Sequence, residues 1–322
     1  MSHELEMVNG AASMAYAESE GTPWHNLGVA VSNDLTPRQM MEKANLDWEV
    51  EKRPMYYGGS DMNTFEVDGR SALVRSTDNK MLDIVGNDWN PVQNEAAFDF
   101  FTDYVMEGDM MMSTAGSLFD GQKIWAMAKV KESFDVLPGD QVDSYMLFSN
   151  PHKYGSAIDV RFTPVRVVCN NTLSLSLSSN SKNSVKVNHC REFNPDMVKE
   201  QLGIASNKFA QYKEVAQFLA GKKFTVDAML EFYSSVFPTN KAADSVETLG
   251  TTAKRCYEVL ETQPGAQFAE GSFWQLVNSV TYHIDHNAGR VSDNRLDSAW
   301  FGGNAKRKNT AMDKAIQLAN VA

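Results

Sequence analysis

Basic side chains gather in one strand-like stretch of an otherwise acidic chain. Between positions 151 and 191 six basic residues stand against the single acid Asp159, whereas the first 110 residues hold 20 acids and 7 bases. The whole chain of 322 residues carries a net charge of −11. Charge sorted in this way predicts a local surface for a large anion, most simply nucleic acid. The basic residues are Lys153, Arg161, Arg166, Lys182, Lys186 and Arg191.

A second basic cluster lies near the C-terminus. Lys306, Arg307 and Lys308 follow closely after Trp300 and Phe301. Basic residues beside aromatic ones suit single-stranded nucleic acid, because bases stack on the rings while phosphates pair with the cations. A solvated loop before the last helix accounts for the cluster equally well, since short charge runs are common on surfaces.

Two other groups of residues contain side chains that could act in catalysis or metal binding. His283 and His286 in the motif YHIDH share a helix face, but Asp285 projects elsewhere and no distant third ligand stands out. Cys169 has His152 and His189 as conceivable bases, yet it follows two valines in a run typical of a buried thiol. We therefore predict no catalytic residue, no metal and no cofactor, and an enzyme is the less favoured interpretation.

Other features of the composition indicate the cellular compartment in which the chain acts. Three widely spaced cysteines, Cys169, Cys190 and Cys256, are typical of reduced thiols. The first residues lack the pattern of a signal peptide, and no apolar run is long enough to span a bilayer. We expect a cytoplasmic protein without membrane contact. The pair Trp24-His25 favours core packing over ligand contact, and the glycine pairs do not form a phosphate-binding loop.

The elements that must position the basic stretch are mostly strands. Asp68-Gly69 is typical of a tight hairpin, strands are expected at 123–130, 144–148 and 157–162, and a helix at 95–107. In 157–162 apolar and polar residues alternate, which predicts one buried and one exposed face. Thr36-Pro37 favours the start of a short helix.

After residue 192 the pattern becomes helical. A heptad seam follows Asn194-Pro195, and residues 246–260 repeat its spacing, which predicts an antiparallel helical pair. Further helices are expected at 225–236, 272–286 and 310–321. The fold class is α+β: a flexible N-terminal arm at 1–21, a β-rich body at 22–191 with antiparallel strands and a packed helix, and a helical region at 192–322. The seam residues are Val198, Leu202, Ala205, Phe209, Tyr212, Ala216 and Leu219.

Several separated motifs, in order, carry a resemblance to a known family. TPWHNLG, LDWEVEKRPMYY, IVGNDWNPVQNEAAFDF, AGSLFDGQKIWAMAK, RFTPVRVVCNNTL and SFWQLVNSVTYHIDH resemble the phage/plasmid-like protein family, domain of unknown function 932. The resemblance covers residues 15–320. It implies a mobile-element setting, where genes often serve DNA replication, recombination or counter-defence, and it brings no functional residues.

A fold-level similarity suggests one activity. A strand-rich sheet with a basic face is similar in plan to single-strand annealing proteins of the Erf and Redβ kind, which imply ATP-independent pairing of DNA strands by rings or filaments. The leading hypothesis is a phage-encoded, oligomeric, non-catalytic protein that binds single-stranded DNA. The alternatives are an interaction protein, such as a counter-defence factor or nucleic-acid mimic, acting through its acidic N-terminal half, and an enzyme using Cys169 or His283 and His286.

Overall fold

The computed structural model describes residues 4–23, 26–60, 63–166, 171–172, 184–203, 206–240, 243–288 and 296–321. The strands are β1 Met7–Val8, β2 Ala11–Ala12, β3 Met14–Ala17, β4 Val29–Val31, β5 Val50–Gly58, β6 Thr64–Arg75, β7 Met81–Gly86, β8 Met110–Leu118, β9 Lys123–Asp135, β10 Gln141–Pro151, β11 Ile158–Arg166, β12 Asn171–Thr172 and β13 Ser184–Val187. The helices are α1 Pro37–Lys43, α2 Asn94–Asp99, α3 Thr102–Met106, α4 Pro195–Gly203, α5 Ser206–Gly221, α6 Val226–Val236, α7 Thr251–Glu258, α8 Phe273–Tyr282, α9 Leu296–Trp300 and α10 Gly303–Ala319. Strands dominate the first part and helices the last, so the α+β class is confirmed.

Among the described residues the main sheet has eight strands, in the order β12-β11-β10-β9-β8-β3-β4, with β13 pairing to β11 as well. β3 and β4 run parallel, whereas β3–β8, β8–β9, β11–β12 and β11–β13 are antiparallel. Gly116 on β8 lies opposite Trp125 on β9. A Cβ at Gly116 would overlap the Trp125 ring and lie 2.9 Å from the Ser13 carbonyl oxygen, so only glycine fits there.

The start of the chain belongs to the folded structure. The sequence predicts a loose arm at 1–21, but this stretch contains β1, β2 and β3, and β3 lies between β8 and β4 in the main sheet. Ala15 and Ala17 on β3 are fully buried. The buried carboxylate of Glu6 accepts a hydrogen bond from Arg75 on β6, Oε1 to Nη1 at 2.5 Å, which ties the start of the chain to β6.

A separate antiparallel sheet is formed by β5, β6 and β7. The prediction of a tight hairpin at Asp68-Gly69 is wrong, because β6 runs straight through this dipeptide. The register shows a bulge instead: Pro54 pairs with Ser71 and Tyr56 with Glu66, and Gly69 adopts a φ of 73°. Gly69 does adopt the left-handed backbone conformation that a tight turn requires, but here this conformation is part of a β-bulge.

Two backbone groups on the outer edge of β7 are paired with side chains. Asp83 Oδ1 accepts from the Ile84 amide at 2.8 Å, and the Gln122 side-chain amide donates to the Leu82 carbonyl at 2.6 Å. Backbone groups that are already paired do not accept a further strand.

Local helix signals are confirmed where the caps are explicit. Thr36 caps α1 in a capping box with Gln39, and Thr225 and Ser272 cap α6 and α8. The predicted helix at 95–107 is instead two short helices, α2 and α3, separated at Phe100 and Phe101. Both of these rings are buried, so core packing outweighs helix continuity at this point.

Strands β9 and β10 cover the predicted segments 123–130 and 144–148 and extend beyond them, and β11 covers most of the third. The expected exposed face of β11 is wrong in part: Ile158 and Val160 are buried as predicted, but Asp159 and Thr163 are buried as well. Neighbouring side chains therefore cover both faces of this strand.

The described residues of the heptad seam are buried, but the partner helix predicted for the seam is wrong. α5 packs on α8 and α10, and the Tyr212 and Trp274 rings meet at 6.4 Å between centroids. α7, which holds most of the segment expected to pair with the seam, packs on α8 and α6. Val198, Tyr212, Ala216 and Leu219 are all fully buried.

Two compact units divide the chain. The first comprises the described parts of 1–131, 146–161 and 184–202, and the second those of 132–145, 162–183 and 203–322. Each unit thus combines stretches that are distant in sequence, whereas the sequence predicts contiguous regions meeting at 191. The core of the second unit is formed by apolar side chains that include Phe134, Tyr212, Phe232, Phe273 and Trp274.

Candidate nucleic-acid interface

The pairing of β11 with β13 brings two basic loops to one end of the sheet. Ile158 pairs with Val187 and Asp159 with Lys186 in antiparallel register. The residues before Ile158 and those after Val187 therefore leave the strand pair at the same end. Lys153 lies in the first of these segments and Arg191 in the second, and both are exposed.

An exposed aromatic residue accompanies these cations. Tyr154, next to Lys153, is 62% exposed, and its amide donates to Asp83 Oδ2 at 2.8 Å. This bond fixes the loop against β7. The sequence-based selection of residues missed Tyr154, although an aromatic residue beside a lysine is the same pattern that drew attention to Trp300 and Lys306.

The strand itself is less basic than its sequence indicates. Arg161 forms an ion pair with Asp159, with Nε donating to Oδ1 at 2.8 Å, and its side chain is largely covered. Lys186 Nζ lies 3.9 Å from Asp159 Oδ2, and 64% of the Lys186 side chain remains exposed. Asp159 thus balances part of the strand charge, and Lys186 is the better placed of the two cations for an external anion.

An open groove of about 320 Å³ lies beside the Arg191 loop. Apolar side chains dominate its walls, while Arg191 and Glu192 bring opposite charges to it. Both charged residues are exposed. Sequence reasoning missed this groove, because its two sides come from segments about a hundred residues apart. Its lining residues are Asn90, Pro91, Val92, Gln93, Ala96, Arg191, Glu192 and Phe193.

The wall formed by Asn90–Gln93 is held from behind by hydrogen bonds. The Asn90 amide donates to the His189 carbonyl at 2.8 Å, and the buried Asn150 side-chain amide donates to the Val92 carbonyl at 2.8 Å. The Gln93 side chain accepts from the Val50 amide at 2.8 Å and donates to the Val50 carbonyl at 3.0 Å. The groove is therefore formed in advance of any ligand.

Two buried histidines complete this support. His152 Nε2 donates to Asn94 Oδ1 at 2.9 Å, and His189 Nδ1 donates to the Asn90 carbonyl at 3.2 Å with its ring stacked on Trp89. Burial lowers the pKa of His152 to about 3, helped by the nearby His189, and burial also lowers the pKa of His189. Both rings are neutral near pH 7, as befits packing residues.

The C-terminal basic cluster divides into two kinds of residue. Lys306 and Arg307 are exposed in the first turns of α10, within the second unit. Lys308 is 3% exposed, and its Nζ donates to Asp285 Oδ1 at 2.8 Å. The prediction that Lys308 contacts nucleic acid is wrong, because helix phase turns it into the core. The cluster also lies on a helix, so the loop interpretation is wrong too.

The YHIDH motif forms a π-helical turn at His283–Asn287 after α8. His283 is buried rather than at a solvated helix end, and Asp285 is engaged with Lys308. Within the described residues no group of three or more histidine, cysteine and acidic side chains is arranged to hold a metal. Burial raises the pKa of the Cys256 thiol, which makes it unreactive.

Several predicted residues fall outside this description. Cys169, Lys182 and the pair Trp24-His25 lie outside the described residues, as does the side chain of Arg166, whose backbone ends β11. None of the helices in the described ranges has the length and apolar content of a membrane span.

Fold and site together define an α+β protein with a preformed groove beside basic loops at one end of a β-sheet. Residues 81–313 match the model of the family described as Domain of unknown function (DUF932), and the chain belongs to that family. The match includes every residue of the groove and of the basic stretch. No curated protein and no solved structure matches the chain.

Proposed function

We propose that this protein binds single-stranded DNA and promotes its pairing in recombination or replication, without catalysis and without ATP. The observation that carries the proposal is that the two loops with Lys153, Tyr154 and Arg191 leave the β11–β13 pair at the same end and expose these side chains. Exposed cations bind phosphates and an exposed ring stacks with a base. A phage or plasmid gene acting in the host cytoplasm is the setting that this activity fits.

Binding of this kind must be local and sensitive to salt. A chain with a net charge of −11 repels nucleic acid as a whole, so contacts are confined to the basic end. Each phosphate that is neutralised on a single strand contributes about 0.7 to the slope of log affinity against log salt. A measurable slope at low salt is therefore the first expectation.

The test is fluorescence anisotropy with a labelled oligonucleotide of mixed sequence, titrated at several salt concentrations. Lys153→Glu with Arg191→Glu should weaken binding about tenfold or more at low salt and reduce the slope by about 1.4. Lys43→Glu with Lys131→Glu, at exposed positions elsewhere in the same unit, is the charge-matched control and should retain most of the affinity. Absence of retention by wild type at low salt contradicts the proposal.

We also propose that the active form is a homo-oligomer, a ring or filament. The heptad seam and the β7 edge do not carry this proposal, because the described seam residues Val198, Tyr212, Ala216 and Leu219 are buried and two backbone groups on the edge are paired with side chains of the chain. The support comes from the distal β5–β6 hairpin, residues 54–70, where Tyr56, Tyr57 and Phe65 are 57%, 58% and 45% exposed. Exposed aromatic residues are typical of protein interfaces.

A second candidate function rests on the same hairpin. An interaction protein, such as a counter-defence factor or nucleic-acid mimic, would use the acidic N-terminal half, and the exposed hairpin adds Glu66 and Asp68 to its aromatic residues. Variants of the hairpin and variants of Lys153 and Arg191 distinguish the two functions. The interaction protein loses its partner when the hairpin is altered and is indifferent to Lys153 and Arg191.

A further inference from the structure

We infer that the groove beside Arg191 binds one base of the bound strand and prefers guanine. This inference rests on the proposed function and names the ligand of the same site. A volume of about 320 Å³ accommodates a purine, and the apolar lining of Pro91, Val92, Ala96 and Phe193 suits a flat base. Phe193 is held in place by the Phe148 ring, with 5.6 Å between the centroids.

The groove offers few polar groups for recognition. The Gln93 side chain is already hydrogen-bonded to Val50 through its oxygen and its nitrogen. The Asn90 backbone amide donates to the His189 carbonyl, and the Asn90 side-chain amide donates to the Asp88 carbonyl at 3.4 Å. The side chains of Arg191 and Glu192 have no hydrogen-bond or ion-pair partner among the described residues of the chain. The charged groups that a ligand meets among the described lining residues are therefore one guanidinium and one carboxylate.

These two charges match a nucleotide in a defined way. A guanidinium binds phosphate through paired N–H donors, so Arg191 suits the phosphate next to the inserted base. The carboxylate of Glu192 accepts hydrogen bonds and offers none. Guanine alone among the DNA bases presents two adjacent donors on its pairing edge, the N1–H and the exocyclic amine, which match the two carboxylate oxygens.

The preformed wall lowers the entropic cost of binding a base, which favours discrimination between bases. The hydrogen bonds to Asn90, Val92 and Gln93 fix the backbone before binding, so little ordering is required when a base enters. The same carboxylate repels the phosphates of a strand whose bases do not reach it. Glu192 thus lowers the affinity for every sequence, and only its hydrogen bonds to guanine offset this loss.

The experiment compares short oligothymidylates that carry guanine, hypoxanthine or a further thymine at one central position, by anisotropy. Wild type should prefer guanine over thymine about tenfold, and hypoxanthine, which lacks the exocyclic amine, should fall between them. Glu192→Gln should abolish the preference while strengthening thymidylate binding at low salt. Ala96→Leu fills the groove and should abolish the preference alone, whereas Ala210→Leu, exposed on another helix, should change nothing.

Free guanosine monophosphate, titrated by calorimetry, separates the two proposals. Retention of DNA without a guanine preference overturns the groove inference and leaves the proposed function standing. Binding of the mononucleotide without retention of DNA overturns the proposed function and supports a nucleotide site. A groove that takes a protein side chain would bind neither ligand, and that result overturns both.

Discussion

At the scale of single residues, burial decides which of the charged and titratable side chains are available. Lys308 and Arg307 are neighbours in sequence, yet the first is 3% exposed and the second lies on the surface. His152 and His189 are both fully covered, and their hydrogen bonds go to Asn94 and Asn90. Residue type alone therefore does not identify a ligand-binding group in this chain.

The buried His152 predicts a loss of stability in mild acid. Its pKa is about 3 in the folded protein and about 6.5 in an unfolded chain, so below pH 6.5 the unfolded state takes up the proton that the folded state refuses. Because of His152, the free energy of unfolding should fall by about 1.4 kcal/mol per pH unit as the pH drops from 6.5 towards 3. His189, whose pKa burial also lowers, adds to the same trend.

Urea unfolding at a series of pH values between 7.5 and 5 measures this effect. His152→Gln should be less stable at pH 7.5, because it disturbs a fully buried site, but should show a shallower dependence on pH than wild type. An unchanged pH dependence in a folded His152→Gln protein would mean that this ring is not the group responsible.

The Lys308–Asp285 pair gives a second prediction at this scale. Lys308→Met removes the ammonium that pairs with the buried Asp285 carboxylate and should cost about 3–5 kcal/mol of stability. The double variant Lys308→Met with Asp285→Asn should lose less, since both charges of the pair are removed together. Urea denaturation measures both. Weaker DNA binding by a Lys308→Met protein of wild-type stability would restore Lys308 as a ligand-binding residue.

At the scale of elements, strand pairing sets what the surface presents. β11 and β13 share their ends at Ile158 and Val187, and this register alone makes neighbours of the Lys153 and Arg191 loops. The β5–β6 pair does the opposite, because beyond the bulge at 67–70 it projects residues into solvent. One element gathers cations and the other exposes aromatic rings.

The hairpin predicts how copies of the chain associate. Tyr57 and Phe65 lie opposite each other, with ring centroids 5.5 Å apart, and both are exposed. Tyr57→Ser with Phe65→Ser should convert an oligomer into monomers, measured by multi-angle light scattering at micromolar concentrations. Tyr154→Ser, which removes an equally exposed ring elsewhere, is the control for assembly and should leave it intact. A wild-type protein that is monomeric at these concentrations would contradict the proposal of a ring or filament.

At the scale of the whole molecule, the sequence predicts what is local and fails where distant segments meet. Thr36-Pro37 starts α1 and Thr225 caps α6 because the caps lie within a few residues of the bonds they make. Asp68-Gly69 signals a left-handed backbone, which suits a hairpin and a bulge alike. The heptad seam indicates that a partner exists, but only tertiary packing selects α8 and α10 over α7.

The candidate site follows the same division. The basic stretch is legible in the sequence, and Lys153, Lys186 and Arg191 are exposed in the structure. Its neutralisation by Asp159 depends on two side chains sharing a strand face, and the groove depends on Asn90–Gln93 meeting Arg191–Phe193. Neither contact can be predicted from the composition or the hydrophobic periodicity of the sequence.

The anchors behind the groove grip main-chain atoms: the carbonyl of Val92, and the amide and carbonyl of Asn90. The side chains of Ala96, Arg191 and Glu192 line the groove without taking part in these bonds, whereas Gln93 is bonded to Val50 and Phe193 packs on Phe148. Mutation can exchange those three one at a time without loosening the wall, so selection can alter what the groove accepts while the scaffold is inherited unchanged. Relatives should then diverge at positions 96, 191 and 192 sooner than at Asn150 or His189.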